Sequence, residues 1–398
     1  MTKFRRTWAE IDLDVAESNY NYIRSLTSSK ICPVVKADAY GHGAVNMAKM
    51  YEDLGADFLA VSNIEEAIQL RRAGITLKIL ILGYTPPKDA NTLCYNDISQ
   101  CVYSIEYAEE LSEVLKKSGN KLNIHIKVDT GMSRLGFFYQ DFNRDEKAVE
   151  EIERVCNMQG LVPEGIFTHF SVADEGDKGN SFTMRQYGLF KELIETLIGK
   201  NIKFKYRHCA NSAAILDFPL SHFDMVRAGI IIYGLEPSDD IRNKGKIKPC
   251  LQLKSVVSHV KTIPEGTDIS YGRKFTAESE MKIATVPIGY ADGYSRLLSG
   301  KGNVLIKGTR CPILGRVCMD QLMVDVSHIE KVNTGDLVTL IGTDGAETIT
   351  ADELAELTGT INYEIICDIG ARVPRIYLKK GKEVNIQNYI CPEELYDE

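Results

Sequence analysis

The pattern of apolar and polar positions divides the chain into two parts. Through residue 235, short apolar runs rich in β-forming residues alternate with amphipathic stretches in which apolar positions recur every three or four residues. Eight such runs occur, at 30–35, 57–62, 78–84, 101–105, 122–128, 164–170, 204–210 and 224–230. Eight alternations of strand and helix, in roughly the ~250 residues typical of the fold, predict a TIM-like (β/α)8 barrel of the α/β class. A doubly wound sheet is the alternative.

After residue 240 the pattern changes. Apolar runs with strand character are separated by Gly, Asp and Pro turns, and only one helix-like insert follows, at 350–359. The sequence therefore predicts an N-terminal barrel, residues 1–240, and a mostly β C-terminal domain, residues 241–398, joined near 236–246.

Composition narrows the functional class. A chain of 398 residues, 44% of them apolar, can bury a large core and is not a small binding module. The chain has a net charge of −8, and its sequence contains no long block of one sign, so a nucleic-acid partner is not expected. No stretch approaches the roughly 20 apolar residues of a membrane span, and residues 1–15 lack a signal-like apolar core. Ten scattered cysteines without zinc spacing predict no metal site and no disulfides, in a reducing cytoplasm.

Candidate chemistry lies at the strand ends. The C-terminal ends of barrel strands converge on one mouth, where enzymes of this fold place their active sites. Each polar group there has an ordinary interpretation as a satisfied core or rim residue. Polar groups at five strand ends together favour a site: Lys36, Lys127, Asp129, Arg134, His169, His208, Asn211, Ser212, Arg227 and Gly229.

The stretch "VVKADAYGHG", 34–43, places Lys36 at the end of an apolar strand. Burial there would favour the neutral amine, which is a nucleophile toward aldehydes. A structural lysine paired with Asp38 is the alternative.

Two later segments suggest an anion site. In "HCANSAAIL", 208–216, Ser212 opens a helix, and in "VRAGIIIYGL", 226–235, Gly229 lets a backbone N–H approach a phosphate. Loops after barrel strands seven and eight commonly bind phosphate. Ordinary helix capping by Ser212 is the alternative. A phosphate site opposite a lysine that reacts with aldehydes indicates pyridoxal phosphate as the ligand.

Several longer motifs carry a resemblance to a known family. They are "VVKADAYGHG", "HIKVDTGMSRLGF", "EGIFTHFSVADE", "HCANSAA", "MVRAGIIIYG", "ISYGRKF", "VPIGYADGYSR", "LGRVCMDQLMVDV" and "TINYEIICDIGARVPRI". Together they resemble the alanine racemase family nearly end to end. The resemblance implies a barrel followed by a β domain, pyridoxal phosphate as cofactor, and a head-to-tail homodimer in which each active site borrows residues from the partner.

The resemblance also implies roles for individual residues. Lys36 would bind the cofactor covalently, and Tyr271 would be the second catalytic base, supplied by the partner subunit. The phosphate would be held by Tyr40, Ser212, Gly229 and Ile230. His169 and Asn211 would line the cofactor, and Arg227 would face its pyridine nitrogen. The substrate would contact Arg134, Met319 and Tyr290. Lys127 would be a carbamylated lysine that holds Arg134. The entrance gate would be Asp174, Arg296, Arg316 and Ile369.

The implied reaction explains why two bases are needed. Racemisation removes a proton from one face of a carbon and returns one to the other face, so one lysine cannot do both. Tyr271 could act only if its pKa fell below the ordinary value of about 10, with Arg227 and His169 as the candidate cations. An arginine does not give up its proton to the pyridine nitrogen, which weakens the electron sink and favours simple proton return. Without the resemblance, Tyr271 is an ordinary residue beside a turn.

One position departs from the family. Where the family usually has a tyrosine in "IGARVPRI", this chain has Ala371. The change should remove one phosphate hydrogen bond, worth about 1 kcal/mol, and widen the inner pocket. We therefore expect an alanine racemase that supplies D-alanine for cell walls and also accepts serine. The alternatives are a serine racemase, a pyridoxal phosphate-dependent decarboxylase and a non-catalytic barrel that binds the cofactor.

Overall fold

The structure, a computed structural model, describes residues 6–140 and 146–391. The chain divides into two compact units. Of the described residues, the barrel unit comprises 17–39, 44–140 and 146–248, and the β unit comprises 6–16, 40–43 and 249–391.

Eight parallel strands form the barrel unit. After β1 (Thr7–Asp12), which belongs to the β unit, they are β2 (Lys30–Pro33), β3 (Phe58–Val61), β4 (Lys78–Ile81), β5 (Ile98–Val102), β6 (Leu122–Asp129), β8 (Leu161–Phe167), β9 (Tyr206–His208) and β10 (Met225–Ala228), with the short β7 (Phe137–Phe138) beside β6.

Hydrogen bonds close the ring of strands. Strands β3 to β9 pair in chain order, and β10 pairs with β2. Val35 N–H donates to Ala60 O of β3 over 2.9 Å. Arg227 N–H of β10 donates to Ala210 O over 3.0 Å. The predicted (β/α)8 barrel is therefore confirmed, and the doubly wound alternative is wrong.

Helices alternate with these strands as the amphipathic pattern predicts. The helix Ile105–Ser118 shows why: Ser104 caps it by accepting from Tyr107 N–H, and Gly119 ends it in the left-handed conformation at φ 73°. No helix in the described part of the chain is both long and apolar enough to cross a membrane. Besides the left-handed turn Lys36–Tyr40, the helices in the described part of residues 6–248 are Leu13–Leu26, Ala44–Asp53, Ile64–Arg72, Ala90–Tyr95, Ile105–Ser118, Glu146–Cys156, Gly176–Gly199 and Ser212–Asp217.

The β unit is built on one large sheet. Its further strands are β11 (Leu251–Val256), β12 (His259–Ile263), β13 (Asp268–Ile269), β14 (Phe275–Thr276), β15 (Met281–Val286), β16 (Asn303–Ile306), β17 (Thr309–Leu314), β18 (Leu322–Asp325), β19 (Leu337–Asp344), β20 (Glu347–Ile349), β21 (Arg375–Lys379) and β22 (Lys382–Gln387). The order is β12-β15-β18-β17-β16-β19-β11-β1-β21-β22, with β20 beside β19, while β13 and β14 form a separate hairpin. The predicted insert forms the helix Ala351–Thr358, and a second helix, Asn362–Cys367, follows it.

The N-terminal strand belongs to this sheet. β1 pairs antiparallel with β11 and parallel with β21, which buries Trp8, Ala9 and Ile11. The sequence pattern predicts these residues as part of the barrel, because a single short strand carries no sign of its distant partners. Residues 40–43 also group with the β unit, since the Arg375 Nε donates to Gly41 O over 2.9 Å.

Candidate active site

The chain winds in the left-handed sense directly after Lys36. Residues 37–40 have φ angles between 51° and 54°, and none of them is glycine. Left-handed backbone costs roughly 1–2 kcal/mol for each residue with a Cβ, so the surroundings must hold this turn in place. Lys36 itself is partly exposed at the start of the turn.

Two carboxylates fix the backbone of this turn. Glu66 Oε1 accepts from Ala37 N–H over 2.7 Å, and Asp38 Oδ1 accepts from Ala44 N–H over 2.8 Å. Ala37 follows Lys36 directly and Asp38 is two residues after it, so both bonds restrict where the Lys36 side chain can begin. Sequence reasoning missed Glu66, whose only signal is the helix-start pattern of Asn63 followed by Glu66.

Arg227 is buried at the end of β10, and within residues 6–140 and 146–391 its hydrogen bonds go to neutral acceptors. Its guanidinium donates to His208 Nδ1 and Thr168 O over 2.9 Å and to Cys209 O and His169 Nδ1 over 3.2 Å. Burial lowers the pKa of Arg227 to about 10, which leaves it protonated at neutral pH. A buried cation without a carboxylate partner is costly, so its positive charge is available to a ligand.

A line of polar side chains continues from Arg227 through the barrel. His208 Nε2 lies 2.9 Å from His125 Nδ1, and His125 Nε2 lies 3.8 Å from Glu164 Oε2. Burial lowers the pKa of both histidines, so both rings are neutral at physiological pH. Burial alone would raise the pKa of Glu164, but His125 and Lys78 outweigh it and lower the value to about 2. Sequence reasoning missed His125 and Glu164.

Four basic side chains influence the charge of His169. Its pKa is held well below the ordinary value by burial and then by Arg227, Lys127, Arg134 and Lys36. The imidazole is therefore neutral. The expectation that His169 is a cation that lowers the pKa of the catalytic tyrosine is therefore wrong. Of the two residues expected to do so, Arg227 is the one that is charged.

Lys127 is buried at the end of β6. Its amine donates to Val128 O over 3.2 Å and lies 5.1 Å from the centre of the Phe167 ring. Burial and then the charge of Arg227 lower the pKa of Lys127 to about 7. A large fraction of this amine is therefore neutral at physiological pH.

Arg134 stands on the loop after β6. Asp129 Oδ1 accepts from the three successive backbone N–H groups of residues 131–133 over 2.9–3.0 Å, which fixes the loop. The Arg134 side chain is exposed and makes no hydrogen bond or ion pair within the part of the chain that the structure describes. Its guanidinium is thus available to an anion.

Ser212 and Gly229 meet at the ends of β9 and β10. Gly229 N–H donates to Ser212 Oγ over 3.0 Å, which leaves the hydroxyl hydrogen to donate elsewhere. Asn211, not Ser212, caps the helix Ser212–Asp217 by accepting from Ala214 N–H over 3.1 Å. The alternative of ordinary capping by Ser212 is therefore wrong. Ile230 begins the 3-10 turn that follows Gly229.

Asp174 is the gate residue that falls in the barrel unit. It lies on the segment between β8 and the helix Gly176–Gly199, where its carbonyl accepts a hydrogen bond from Ser238 Oγ.

In the β unit, Tyr271 stands at the tip of the β13–β14 hairpin with 70% of its surface exposed. Ser270 Oγ donates to Arg316 O over 2.6 Å. Gly272 has φ 74°, and a Cβ there would lie 3.2 Å from the Arg316 guanidinium. Tyr271 and Arg316 are therefore neighbours because both flanks of the tyrosine pack on the arginine.

Met319 and Tyr290 are joined through their backbones. Tyr290 N–H donates to Cys318 O over 3.1 Å, and Ala291 N–H donates to Met319 O over 3.0 Å. A Cβ at Gly289 would lie 2.2 Å from Cys318 O, so only glycine permits this approach. Both side chains remain about half exposed.

Arg375 organises the loop that contains Ala371. Its buried guanidinium donates to the carbonyl oxygens of Ile369, Gly370 and Val373 over 2.6–2.7 Å. Ile369 is buried, whereas Ala371 is exposed.

Two further predicted residues lie in the β unit. Tyr40 is buried 6.1 Å from Tyr363 between ring centres, and burial raises the pKa of Tyr40 above its ordinary value. Arg296 is exposed at the start of a short 3-10 turn.

The barrel residues fit the cofactor that the resemblance implies. The observation that supports the fit is the buried Arg227, which keeps its charge among neutral acceptors, together with the cations around His169. Such a strand-end group suits a ligand with a phosphate and a second anionic group. Within residues 6–140 and 146–391, no three His, Cys, Asp or Glu side chains are grouped to hold a metal ion.

Comparisons with known proteins agree across the chain. The family model described as "Alanine racemase, N-terminal domain" matches residues 11–237, and "Alanine racemase, C-terminal domain" matches residues 250–377. Alanine racemase of Clostridium perfringens is 48% identical over 97% of this chain and 99% of its own. Solved alanine racemases from Bacillus anthracis and Clostridium difficile superpose with TM-scores of 0.92 and 0.91; each is 42% identical and covers 98% of this chain, over 99% and 100% of its own length.

Proposed function

The chain belongs to the alanine racemase family, and from that premise we propose a two-base mechanism shared between subunits. The protein is a pyridoxal phosphate-dependent isomerase that interconverts L- and D-alanine. In the proposed mechanism Lys36 serves one face of the substrate, and Tyr271 of the partner subunit serves the other.

Residues of the barrel unit would hold the cofactor. Lys36 would take its aldehyde, and Ser212, Gly229 and Ile230 would hold its phosphate together with Tyr40 of the β unit. Asn211 and His169 would line its ring. When bound, pyridoxal phosphate supplies an electron sink for the charge left at the substrate Cα.

Arg227 would present a fixed positive charge to the ring. Because its pKa of about 10 keeps it protonated and its guanidinium is held by four neutral acceptors, it neither turns away nor gives up its proton. Because Arg227 keeps its proton, the pyridine nitrogen would stay unprotonated and the ring would accept less negative charge. The proton would then return to Cα rather than to another atom.

The two bases divide the proton transfers. The Lys36 amine takes a proton from Cα on one face, while the Tyr271 hydroxyl gives one on the other; for the opposite enantiomer the roles reverse. Arg134 would bind the substrate carboxylate, supported by Met319 and Tyr290 of the β unit.

We propose that Lys127 is carbamylated. Its pKa of about 7 provides the neutral amine that reacts with carbon dioxide. At present the positive charges of Arg134 and Lys127 oppose each other, since Arg134 contributes to lowering the pKa of Lys127. Carbamylation would replace that repulsion by attraction and hold Arg134 toward the substrate.

We propose a homodimer with shared sites, and the exposure of the second base supports it. Tyr271, Met319 and Tyr290 are 70%, 53% and 43% exposed, an arrangement that suits a surface covered by a partner subunit. We place the dimer in a reducing cytoplasm, because all ten cysteines are free thiols. Its proposed role is the supply of D-alanine for cell walls.

We infer that alanine is the main substrate and serine a slower one. Ala371 is exposed on the loop held by Arg375, and in place of the family's usual tyrosine it would leave room beside the substrate side chain. Serine racemisation as the main activity is not favoured by relatives that carry the name alanine racemase. A decarboxylase would be expected to have a carboxylate where Arg227 stands, and a non-catalytic barrel would leave the matched C-terminal domain unexplained.

The observation that carries this proposal is the position of Lys36 after β2. Arg227, Lys127 and Arg134, from other strand ends of the same unit, act with it on the neutral His169. The test is the loss of optical rotation of L-alanine, combined with borohydride reduction and mapping of the modified lysine. We expect label at Lys36, and we expect Lys36→Ala to abolish both label and activity. Lys49→Ala, an exposed lysine of the next helix, is the matched control.

A further inference from the structure

We propose that Glu66 is a positioning residue for Lys36. The inference rests on the proposed function of Lys36, and it concerns how the backbone that carries this amine is held.

Glu66 occupies a position that normally closes a helix. It is the third residue of the helix Ile64–Arg72, whose cap, Asn63, accepts from Glu66 N–H over 2.9 Å. A glutamate at this position usually returns to the N–H of the cap residue itself. Here Oε2 accepts instead from Ser62 N–H, one residue earlier, over 2.7 Å.

The second oxygen of Glu66 reaches another part of the barrel. Oε1 accepts from Ala37 N–H over 2.7 Å, so a single carboxylate joins the end of β3 to the residue after Lys36. Both oxygens are used on backbone N–H groups, and a carboxylate is the side chain that can accept from two separate donors without presenting one of its own.

Lys36 is thereby fixed on both sides. Before it, Val35 N–H donates to Ala60 O over 2.9 Å, and Val34 O accepts from Tyr233 Oη over 2.8 Å. After it, the Glu66 bond holds the first residue of the left-handed turn. Because neither neighbouring peptide can rotate freely, the reach of the Lys36 amine is set by its side chain alone.

The left-handed turn makes this bond necessary. Within the described residues of the barrel unit, Ala39 N–H also donates to Val35 O over 2.9 Å, and Asp38 accepts from Ala44 N–H. These bonds brace its middle and end, whereas Glu66 alone among the three acts on its first residue. Loss of Glu66 would let Ala37 relax toward ordinary backbone and displace the Lys36 side chain.

The test compares Glu66→Gln and Glu66→Ala with Glu65→Gln. Glu65 lies in the same first turn and is exposed, so its variant removes the same charge from the same helix end. We expect kcat for alanine to fall about tenfold in E66Q and about 100-fold in E66A, with KM within twofold of wild type, because misplacing a reacting group by about 1 Å costs on that order. E65Q should stay within twofold in both.

A second readout does not depend on turnover. Cofactor-free protein is mixed with pyridoxal phosphate, attachment is followed by visible absorbance, and Lys36 labelling is confirmed by borohydride reduction. We expect attachment to slow about tenfold in E66Q but not in E65Q, with circular dichroism showing both variants fully folded at the assay temperature.

Two outcomes would overturn the proposal. One is attachment and kcat in E66Q equal to those of E65Q; the other is a loss of activity that matches a loss of folded protein. If wild-type protein attaches the cofactor at Lys36 but leaves alanine unchanged, the proposed function fails while the comparison of attachment rates still decides the role of Glu66.

Discussion

The barrel unit and the β unit place their candidate catalytic residues by different means. At the strand ends of the barrel, side chains hold one another: Arg227 is bound by His208, and Ser212 by Gly229. In the β unit, backbone hydrogen bonds join the loops, and the candidate catalytic side chain is exposed to solvent: Tyr271 is 70% exposed.

This difference indicates two kinds of preorganisation. A buried group of mutually bonded side chains is set once the unit folds, because any change leaves a polar partner unsatisfied. Exposed side chains on fixed loops, such as Tyr271, have a defined backbone position, but their own orientation is less restricted. The barrel should therefore respond to mutation through stability as well as chemistry, and the β unit through chemistry alone.

The largest expected effect tests the exposed side. Tyr271→Phe removes only a hydroxyl, so we expect normal folding and normal cofactor attachment at Lys36. Racemisation should fall by about 10²–10⁴-fold in both directions, the usual contribution of a positioned acid or base. Initial rates from L- and D-alanine by polarimetry measure this, with Tyr95→Phe, 79% exposed, as the control. Unchanged rates in both directions would remove Tyr271 from the mechanism.

The next effect tests the buried side. Glu164→Gln should lower the free energy of unfolding at neutral pH by about 3 kcal/mol, because the folded pKa of about 2 lies below the ordinary value of 4.5. That stabilisation is fully present above pH 4.5 and is lost as pH falls toward 2. Urea unfolding at pH 7 and pH 3 should show the difference shrinking at the lower pH.

The control for Glu164→Gln is a glutamate in an exposed ion pair. Glu153 meets Lys200 at the surface over 2.8 Å, and Glu153→Gln should change stability by less than about 1 kcal/mol. Equal losses from Glu164→Gln and Glu153→Gln would contradict the distinction between the buried group and the surface.

A smaller effect concerns Lys127. Lys127→Ala should raise KM for alanine about tenfold, as expected when a charge-assisted contact that orients Arg134 is lost. Only the neutral amine reacts with carbon dioxide, so with a pKa of about 7 the carbamate should be lost as pH falls below 7. KM should then rise, more steeply in buffer freed of carbon dioxide. Lys121→Ala, on the exposed surface before β6, should show neither response.

The smallest effect lies on the loop that Arg375 holds. Ala371→Tyr should raise the ratio of kcat/KM for alanine over serine about fivefold, since one hydrogen bond and the filled space are each worth about 1 kcal/mol or less. Ala371→Phe fills the space without the hydroxyl and separates the two contributions. A ratio that does not change in either variant would show that residue 371 does not set substrate choice.

Much of the barrel could be predicted because its pattern is local. Each of the eight apolar runs overlaps a strand, and the parallel arrangement then brings strand ends such as Lys127 and Arg227 to one mouth. The left-handed turn at 37–40 could not be predicted, since its residues have no preference for positive φ and are held there by distant groups such as Glu66. The helix Asn362–Cys367 was missed because it is short and its cap, Ile361, makes no side-chain bond.

The site in the β unit depended on family resemblance. Tyr271 is one of 19 tyrosines, and nothing in its neighbours along the chain distinguishes it. The physical reason for its position, the packing of residues 270–272 against Arg316, joins segments that lie far apart in sequence.

The pairing of β1 between β11 and β21 has a consequence for biosynthesis. On the ribosome, the eight barrel strands emerge before β11, and β21 emerges later still. The barrel can assemble during translation, but β1 must wait, with one edge unmet, until residues near 375 leave the exit tunnel. A nascent chain stalled before that point should expose β1 to proteolysis while the barrel is already resistant.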